Sequence, residues 1–87
     1  MFAAGVPSGR QPQKELAWAV RKLRTEAGLT QSALARRLGV SPSYVSRLEQ
    51  GEGNPRWGTA RRVAVGLEVS IVELAAVAED FEERRRR

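Results

Sequence analysis

The sequence lacks cysteine and histidine, and its only aromatic residues are two Trp, two Phe and one Tyr. The chain therefore has no thiol nucleophile, no disulfide, no Cys/His zinc site and no imidazole to act as a general base near neutral pH. A chain of 87 residues buries only about 60% of its unfolded surface, which leaves little room for a deep catalytic pocket. These absences argue against an enzyme, and we expect no cofactor and no metal.

Long apolar runs are also missing. No stretch approaches the ~18 apolar residues that a transmembrane helix needs. The first residues, MFAAGVPSGRQPQ, lack the basic segment followed by an apolar run that marks a secretory signal. We expect a cytoplasmic protein with no membrane partner.

The charge of the chain is unevenly distributed. Residues 1–62 contain 11 Lys or Arg and 4 Asp or Glu, whereas residues 63–87 contain 4 basic and 6 acidic residues. A basic patch on a small domain is typical of a protein that binds nucleic acid. The alternative is that the charge only keeps the domain soluble.

Apolar residues recur at helical spacing in five segments, and no segment shows the alternation of a strand. Residues 1–11 lack this periodicity and are expected to form a mobile tail, residues 12–81 the folded domain, and residues 82–87 a charged, frayed tail. Side-chain caps are predicted at the starts of the last four helices. The predicted helices cover about residues 12–27, 31–38, 42–50, 55–67 and 71–81, and the predicted caps are Thr30, Ser41, Asn54 and Ser70.

The second and third helices are separated by only about three residues, so they must meet at a steep angle. A close crossing requires a small residue such as Ala35, and the tight turn requires a left-handed residue, which Gly39 supplies without steric cost. Val45 is expected to fill the space between the two helices. Together with shared apolar contacts, this spacing predicts a helix-turn-helix. The residues expected to make those contacts are Leu34, Leu38, Val40 and Leu48.

The stretch LRTEAGLTQSALARRLGVSPSYVSRLEQGEGNP resembles the phage-repressor/Cro class of helix-turn-helix regulators, often called the XRE family. The resemblance extends over about residues 13–78 and rests on the motifs GLTQ, LGVS, SRLEQG and NP. It implies an all-α, compact five-helix bundle of the lambda-repressor-like type that binds duplex DNA as a dimer. Two departures are visible. Trp57 and Gly58 replace a usual Leu and a helix-favouring polar residue, and Gly66 replaces a usual Ala; we expect Trp57 to be a bulkier core residue.

The resemblance also implies that the third helix, about residues 41–50, enters the major groove of DNA. It places Pro42, Ser43 and Arg47 where base-reading residues lie. Arg47 is the strongest candidate because its guanidinium group can bond to guanine through two hydrogen bonds. The alternative is that Arg47 contacts phosphate or only solvent.

The resemblance implies backbone contacts on both sides of this helix, made by the first turn of the second helix and by the loop before the fourth helix. Only one of Arg36 and Arg37 is expected to reach DNA, and Arg61 and Arg62 are expected to be solvated. The residues expected to contact the DNA backbone are Gln31, Tyr44, Ser46, Arg36, Asn54 and Arg56.

The family pattern places an arginine late in the first helix and a glutamate late in the third, and the two pair across the fold. Arg24 and Glu49 match these positions, so we expect a structural ion pair that orients the third helix. The alternative is that Arg24 contacts DNA.

The last helix carries more apolar residues than its own core requires. Val72, Val77 and Phe81 widen its apolar face, which implies a second surface. The resemblance implies that this surface forms a homodimer through the C-terminal helix. Two recognition helices about 34 Å apart would read a palindromic operator. The alternative is that this helix folds back on its own core.

The sequence thus predicts a DNA-binding transcriptional regulator, active as a homodimer on double-stranded DNA and associated with the nucleoid. No small-molecule effector is evident. Two narrower roles use the same fold: a restriction-modification controller protein, and an antitoxin that also neutralises a toxin.

Overall fold

The computed structural model describes residues 13–53 and 55–85, of which the last four are described only in their backbone. These residues form five helices and no strand, as predicted. The all-α fold class is therefore confirmed. The helices are α1 (Lys14–Glu26), α2 (Gln31–Leu38), α3 (Pro42–Glu49), α4 (Trp57–Leu67) and α5 (Ile71–Arg85).

Local signals define both ends of α2 and the start of α3. The hydroxyl oxygens of Thr30 and Ser41 accept hydrogen bonds from the backbone amides three residues later, at 3.0 and 3.1 Å. Gly39 has a φ of 73°, the left-handed conformation that ends a helix most readily on glycine. Both predicted caps are therefore present, and the tight turn between the two helices has the predicted backbone conformation.

The start of α4 differs from the prediction. The helix begins at Trp57, and Pro55 lies outside it because Arg56 takes the extended conformation of an N-cap residue, without a side-chain cap. The predicted cap, Asn54, lies outside the described residues. Trp57 is 66% exposed, so the expectation that it fills the core is wrong. Trp57 is the first residue of its helix and precedes the part of α4 that enters the core.

The start of α5 agrees with the prediction, but its end does not. The Ser70 hydroxyl accepts a hydrogen bond of 2.9 Å from the Glu73 amide, which is one half of the expected capping box. The helix then continues to Arg85, four residues past the predicted end at Phe81. No glycine or proline follows Phe81 to stop it.

Each helix contributes one large, fully buried side chain to a single core, and these are Val20, Leu34, Val45, Val63 and Leu74. Ala35 is 1% exposed, as a close crossing of α2 and α3 requires. The longest helices, α1 and α5, pack against each other, while α2 contacts α3 and α4. Within the described part of the chain, no helix is both long enough and apolar enough to cross a membrane.

Candidate nucleic-acid interface

The third helix buries one side and exposes the other. Val45 is fully buried and Leu48 is 5% exposed, whereas Pro42, Ser43 and Arg47 are exposed. The predicted base-reading residues therefore share a free surface of α3. Their backbone is fixed from the opposite side by the apolar core.

The C-terminal end of α3 is held by an ion pair with α1. The Arg24 guanidinium donates to both carboxylate oxygens of Glu49, at 2.6 and 3.0 Å, and its third nitrogen donates to the Leu29 carbonyl at 2.8 Å. The two side chains are 11% and 4% exposed. The structure thus contains the expected ion pair, and all three guanidinium nitrogens of Arg24 have internal partners.

Gln31 takes part in the same network. Its side-chain nitrogen donates to the Glu49 carboxylate at 3.0 Å, and the residue is half-buried. The first turn of α2 is thereby linked to the last turn of α3. The sequence predicts a phosphate contact for Gln31 but gives no sign of this partner, because Glu49 lies 18 residues away and comes close only in the fold.

Two arginines expected near or on the surface instead join α2 to α4. Arg37 donates to the Gly66 carbonyl at 3.0 Å, and Arg62 donates to the Leu38 carbonyl at 3.2 Å. Each arginine binds a carbonyl that the other helix leaves unpaired at its C-terminal end. The prediction that Arg62 is merely solvated is wrong. Of the two arginines on α2, only Arg36 keeps an exposed side chain without an ion pair to a described residue.

The other predicted backbone contacts surround α3. Tyr44 and Ser46 are half-buried, and the Ser46 hydroxyl accepts a hydrogen bond of 3.4 Å from the Gln50 side chain. Arg56 is exposed just before α4. Asn54 is outside the described residues. Pro55, which precedes Arg56 in the chain, lines a cavity together with Tyr44 and Arg47 of α3.

A cavity of about 310 Å³ opens beside the last turn of α3, and we call it the Arg47 cavity. Glu52 is exposed at this cavity, and its backbone amide donates to the Arg47 carbonyl at 3.1 Å. Sequence reasoning overlooked Glu52, although the uneven charge was a signal: besides Glu49 it is the only acidic residue between Ala27 and Leu67. The lining residues are Tyr44, Arg47, Leu48, Glu52, Gly53 and Pro55.

A second concave surface lies among α1, α4 and α5, and we call it the Trp57 groove. Its volume is about 270 Å³ and every lining residue is apolar. Trp57 and Val72 are 66% and 74% exposed at its edge. The lining residues are Leu16, Trp57, Ala60, Ile71, Val72, Leu74, Ala75 and Ala78.

The three residues predicted for the dimer interface do not share one free face. Val72 is exposed, but Val77 and Phe81 are half-buried against their own chain. The Phe81 ring packs on Trp18 of α1, with 5.5 Å between the ring centroids and 35° between the planes. At Val77 and Phe81, α5 therefore packs against its own chain, whereas Val72 remains exposed.

The described side chains include no group of three or more His, Cys, Asp or Glu residues placed to hold a metal ion. A protein family described as a helix-turn-helix domain matches residues 15–77. The chain belongs to this family. The matched residues include all of α2, α3 and α4, so the family assignment covers the exposed side of α3 and its ion pair.

Individual relatives agree with this assignment. The chain is 42% identical over 59 residues to y4dJ of Sinorhizobium fredii, an uncharacterized HTH-type transcriptional regulator. The aligned residues make up 68% of this chain and 77% of y4dJ. The crystal structure of the clp gene regulator ClgR from C. glutamicum is 29% identical, with a TM-score of 0.75 over 78% of this chain and 88% of ClgR. The restriction-modification controller protein C.Esp1396I, solved as a tetramer with its natural 35-base-pair operator, is 26% identical, with a TM-score of 0.73 over 78% and 90% of the two chains. The predicted family of regulators is confirmed.

Proposed function

We propose that this helix-turn-helix protein is a transcriptional regulator that binds specific sequences of duplex DNA through α3. The observation that carries the proposal is the two-sided character of α3. Ser43 and Arg47 are exposed, Val45 and Leu48 are buried opposite them, and Glu49 fixes the end of the helix. A helix held in this way keeps its free side chains in one orientation toward a DNA groove.

Arg47 is the proposed main reader of base edges. Its exposed guanidinium group matches the two acceptors of guanine in the major groove, a contact worth about 1–3 kcal/mol of discrimination. Ser43 can donate to or accept from a base, and Pro42 has no donor and offers apolar contact to a thymine methyl group. Arg47 therefore supplies most of the proposed sequence preference.

The proposed backbone contacts fix the position of α3 on DNA without reading sequence. Arg36 and Arg56 are exposed and supply charge, while Tyr44 and Ser46 border the recognition face. Asn54 is retained from the sequence prediction. Gln31 has a smaller proposed role toward phosphate, since its side-chain nitrogen already has Glu49 as a partner.

The proposed dimer forms through the Trp57 groove. A groove lined only by apolar side chains, with Trp57 and Val72 exposed at its edge, is more apolar surface than a small monomer usually leaves open. A second copy of this chain is the occupant we propose, and the tetrameric state of C.Esp1396I on its operator supports assembly of several copies on DNA. A twofold pair would bind a palindromic operator with half-sites about 34 Å apart.

Selection of bound duplexes from a random DNA pool, at fixed near-physiological salt, tests this function. Recovery of a palindrome with half-sites about one helical turn apart is the expected result. Recovery of no motif, with binding that fades steeply as salt rises, would leave only phosphate attraction and reject sequence-specific regulation. Among the roles within this function, a controller of restriction and modification is favoured by the similarity to C.Esp1396I, and it predicts an operator beside restriction and modification genes.

A further inference from the structure

An exposed carboxylate lies on an otherwise basic surface. Between Ala27 and Leu67 the sequence contains six arginines, no lysine and only two acidic residues. One of these, Glu49, is 4% exposed and bound to Arg24. The other, Glu52, is exposed and lines the Arg47 cavity.

The backbone holds Glu52 next to Arg47. The Glu52 amide donates to the Arg47 carbonyl at 3.1 Å. The glycines on either side, Gly51 and Gly53, both have a φ of 79°, the left-handed conformation that glycine adopts without steric cost and that this turn requires. Neither the Glu52 nor the Arg47 side chain forms an ion pair with another described residue. Their charges therefore face the same open space.

An arginine at the edge of the major groove has two kinds of partner. It binds a guanine edge through two hydrogen bonds, which carries sequence information, or it binds a phosphate, which carries none. A phosphate entering the Arg47 cavity brings a negative charge toward the Glu52 carboxylate, whereas a base edge is neutral. Repulsion by Glu52 therefore penalises the second kind of contact more than the first.

We propose that Glu52 is a specificity-determining residue, which keeps DNA phosphates out of the Arg47 cavity and so reserves Arg47 for base edges. This inference rests on the proposed function. In this arrangement Glu52 lowers affinity for nonspecific DNA more than affinity for the operator. It raises the ratio between them without contacting a base.

The test compares the wild-type protein with Glu52→Gln on two probes: the duplex recovered by selection and a scrambled duplex of equal length and composition. Binding is followed by fluorescence anisotropy across a salt series. Loss of the carboxylate should tighten binding to the scrambled duplex and steepen its salt dependence by about 0.9 in logarithmic slope, as for one added phosphate contact. That slope corresponds to roughly threefold more loss of affinity between about 50 and about 200 mM salt. Binding to the operator should change less.

Glu26→Gln is the matched control, because it makes the same change in net charge at a residue that does not line the Arg47 cavity. Equal effects of the two variants on the scrambled duplex would overturn the proposal in favour of net charge alone. Equal tightening of both duplexes by Glu52→Gln would also overturn it. Weaker operator binding with unchanged nonspecific binding would overturn it in favour of direct base contact by Glu52. Failure of the wild-type selection to yield any motif would instead reject the proposed function.

Discussion

The α2–α3 unit and the α4–α5 unit differ in how completely local contacts fix the ends of their helices. In the first, Thr30 and Ser41 cap the helices, Gly39 makes the turn, and Glu49 anchors the end. In the second, α4 begins without a side-chain cap. These contacts fix the first unit within one chain, and in the proposed function its orientation sets which side chains face DNA.

The ends of α2 and α4 show the same contrast. Both end in the left-handed conformation, α2 on Gly39 with a φ of 73° and α4 on Glu68 with a φ of 62°. A residue with a Cβ pays about 1–2 kcal/mol for this conformation. Glu68 receives a partial compensation from its 3.3 Å contact with Arg37. The α4–α5 unit is therefore locally less favourable and depends more on tertiary contacts.

Exposed apolar side chains are concentrated in the second unit as well. The large hydrophobic side chains that are exposed in the described chain are Trp57, Val65 and Val72, all in α4 and α5. None lies in α2 or α3. The α2–α3 unit, which we propose faces DNA, is thus complete in the monomer in that it exposes no large hydrophobic side chain, while the α4–α5 unit retains the surface that we propose for a partner.

The largest effect is expected when the anchor of the first unit is broken. Arg24→Ala leaves the nearly buried Glu49 carboxylate without its partner, which should lower the free energy of unfolding by about 3 kcal/mol. Glu26→Gln breaks the exposed pair with Lys22 on the same helix and should cost under about 1 kcal/mol. Urea denaturation midpoints measure both. Similar losses from the two variants would show that the buried pair does not distinguish the α2–α3 unit.

The second prediction concerns the incomplete unit. Val72→Glu should leave the fold intact, because Val72 is 74% exposed, but weaken dimerisation by about 2 kcal/mol, roughly 30-fold. Val65→Glu is its matched control, since Val65 is also 74% exposed but does not line the Trp57 groove. Sedimentation velocity at several protein concentrations gives the dissociation constants. If Val65→Glu produced monomers, or if Val72→Glu left the dimer dissociation constant unchanged, the interface would lie outside the Trp57 groove.

The third prediction separates the two kinds of DNA contact. Arg47→Ala should remove about 1–3 kcal/mol of discrimination at one base pair and leave stability unchanged. Arg36→Ala should weaken binding to all duplexes alike and reduce the salt slope by about 0.9. Competition binding with operator variants measures both effects. If Arg47→Ala left discrimination between sites unchanged, the base-reading role of α3 would have to pass to other residues.

Much of the α2–α3 unit could be predicted from the sequence because its signals are local. Thr30, Ser41 and Gly39 act on backbone groups within a few residues, and they lie at the observed helix ends. The predicted start of α4 is wrong. Asn54 and Pro55 match the sequence pattern of a helix start, but Arg56 takes the N-cap conformation and the helix begins at Trp57. Local chemistry alone does not choose between two nearby starts.

Contacts between distant residues could not be predicted from spacing. Arg37 and Arg62 bind carbonyls that lie 29 and 24 residues away in the sequence. Helical spacing places both arginines on the polar side of their helices and does not indicate those partners. The Arg24–Glu49 pair, 25 residues apart, was accessible only through the resemblance to a family. Glu52 was missed because the Arg47 cavity forms only when the loop folds back on α3.

The smallest expected effect tests where the two units meet. Gly66 of α4 faces α2, and a Cβ added there would lie 2.7 Å from Leu38 Cδ2. A Cβ added at Gly58 of the same helix would meet nothing within 4 Å. Gly58→Ala should therefore raise the free energy of unfolding by up to about 1 kcal/mol through helix propensity, since its first-turn position reduces the full gain.

Gly66→Ala should raise the free energy of unfolding less than Gly58→Ala does, because the new methyl group crowds Leu38 and the cost of this crowding offsets the gain in helix propensity. We expect the free energies of unfolding of the two variants to differ by about 1 kcal/mol. Thermal and urea unfolding of both variants measure that difference. Equal stabilisation would mean that the Leu38 side chain shifts freely and that α2 and α4 are joined mainly by the Arg37 and Arg62 hydrogen bonds. A smaller gain at Gly66 would mean that close packing at Leu38 also sets the distance between the complete unit and the incomplete one.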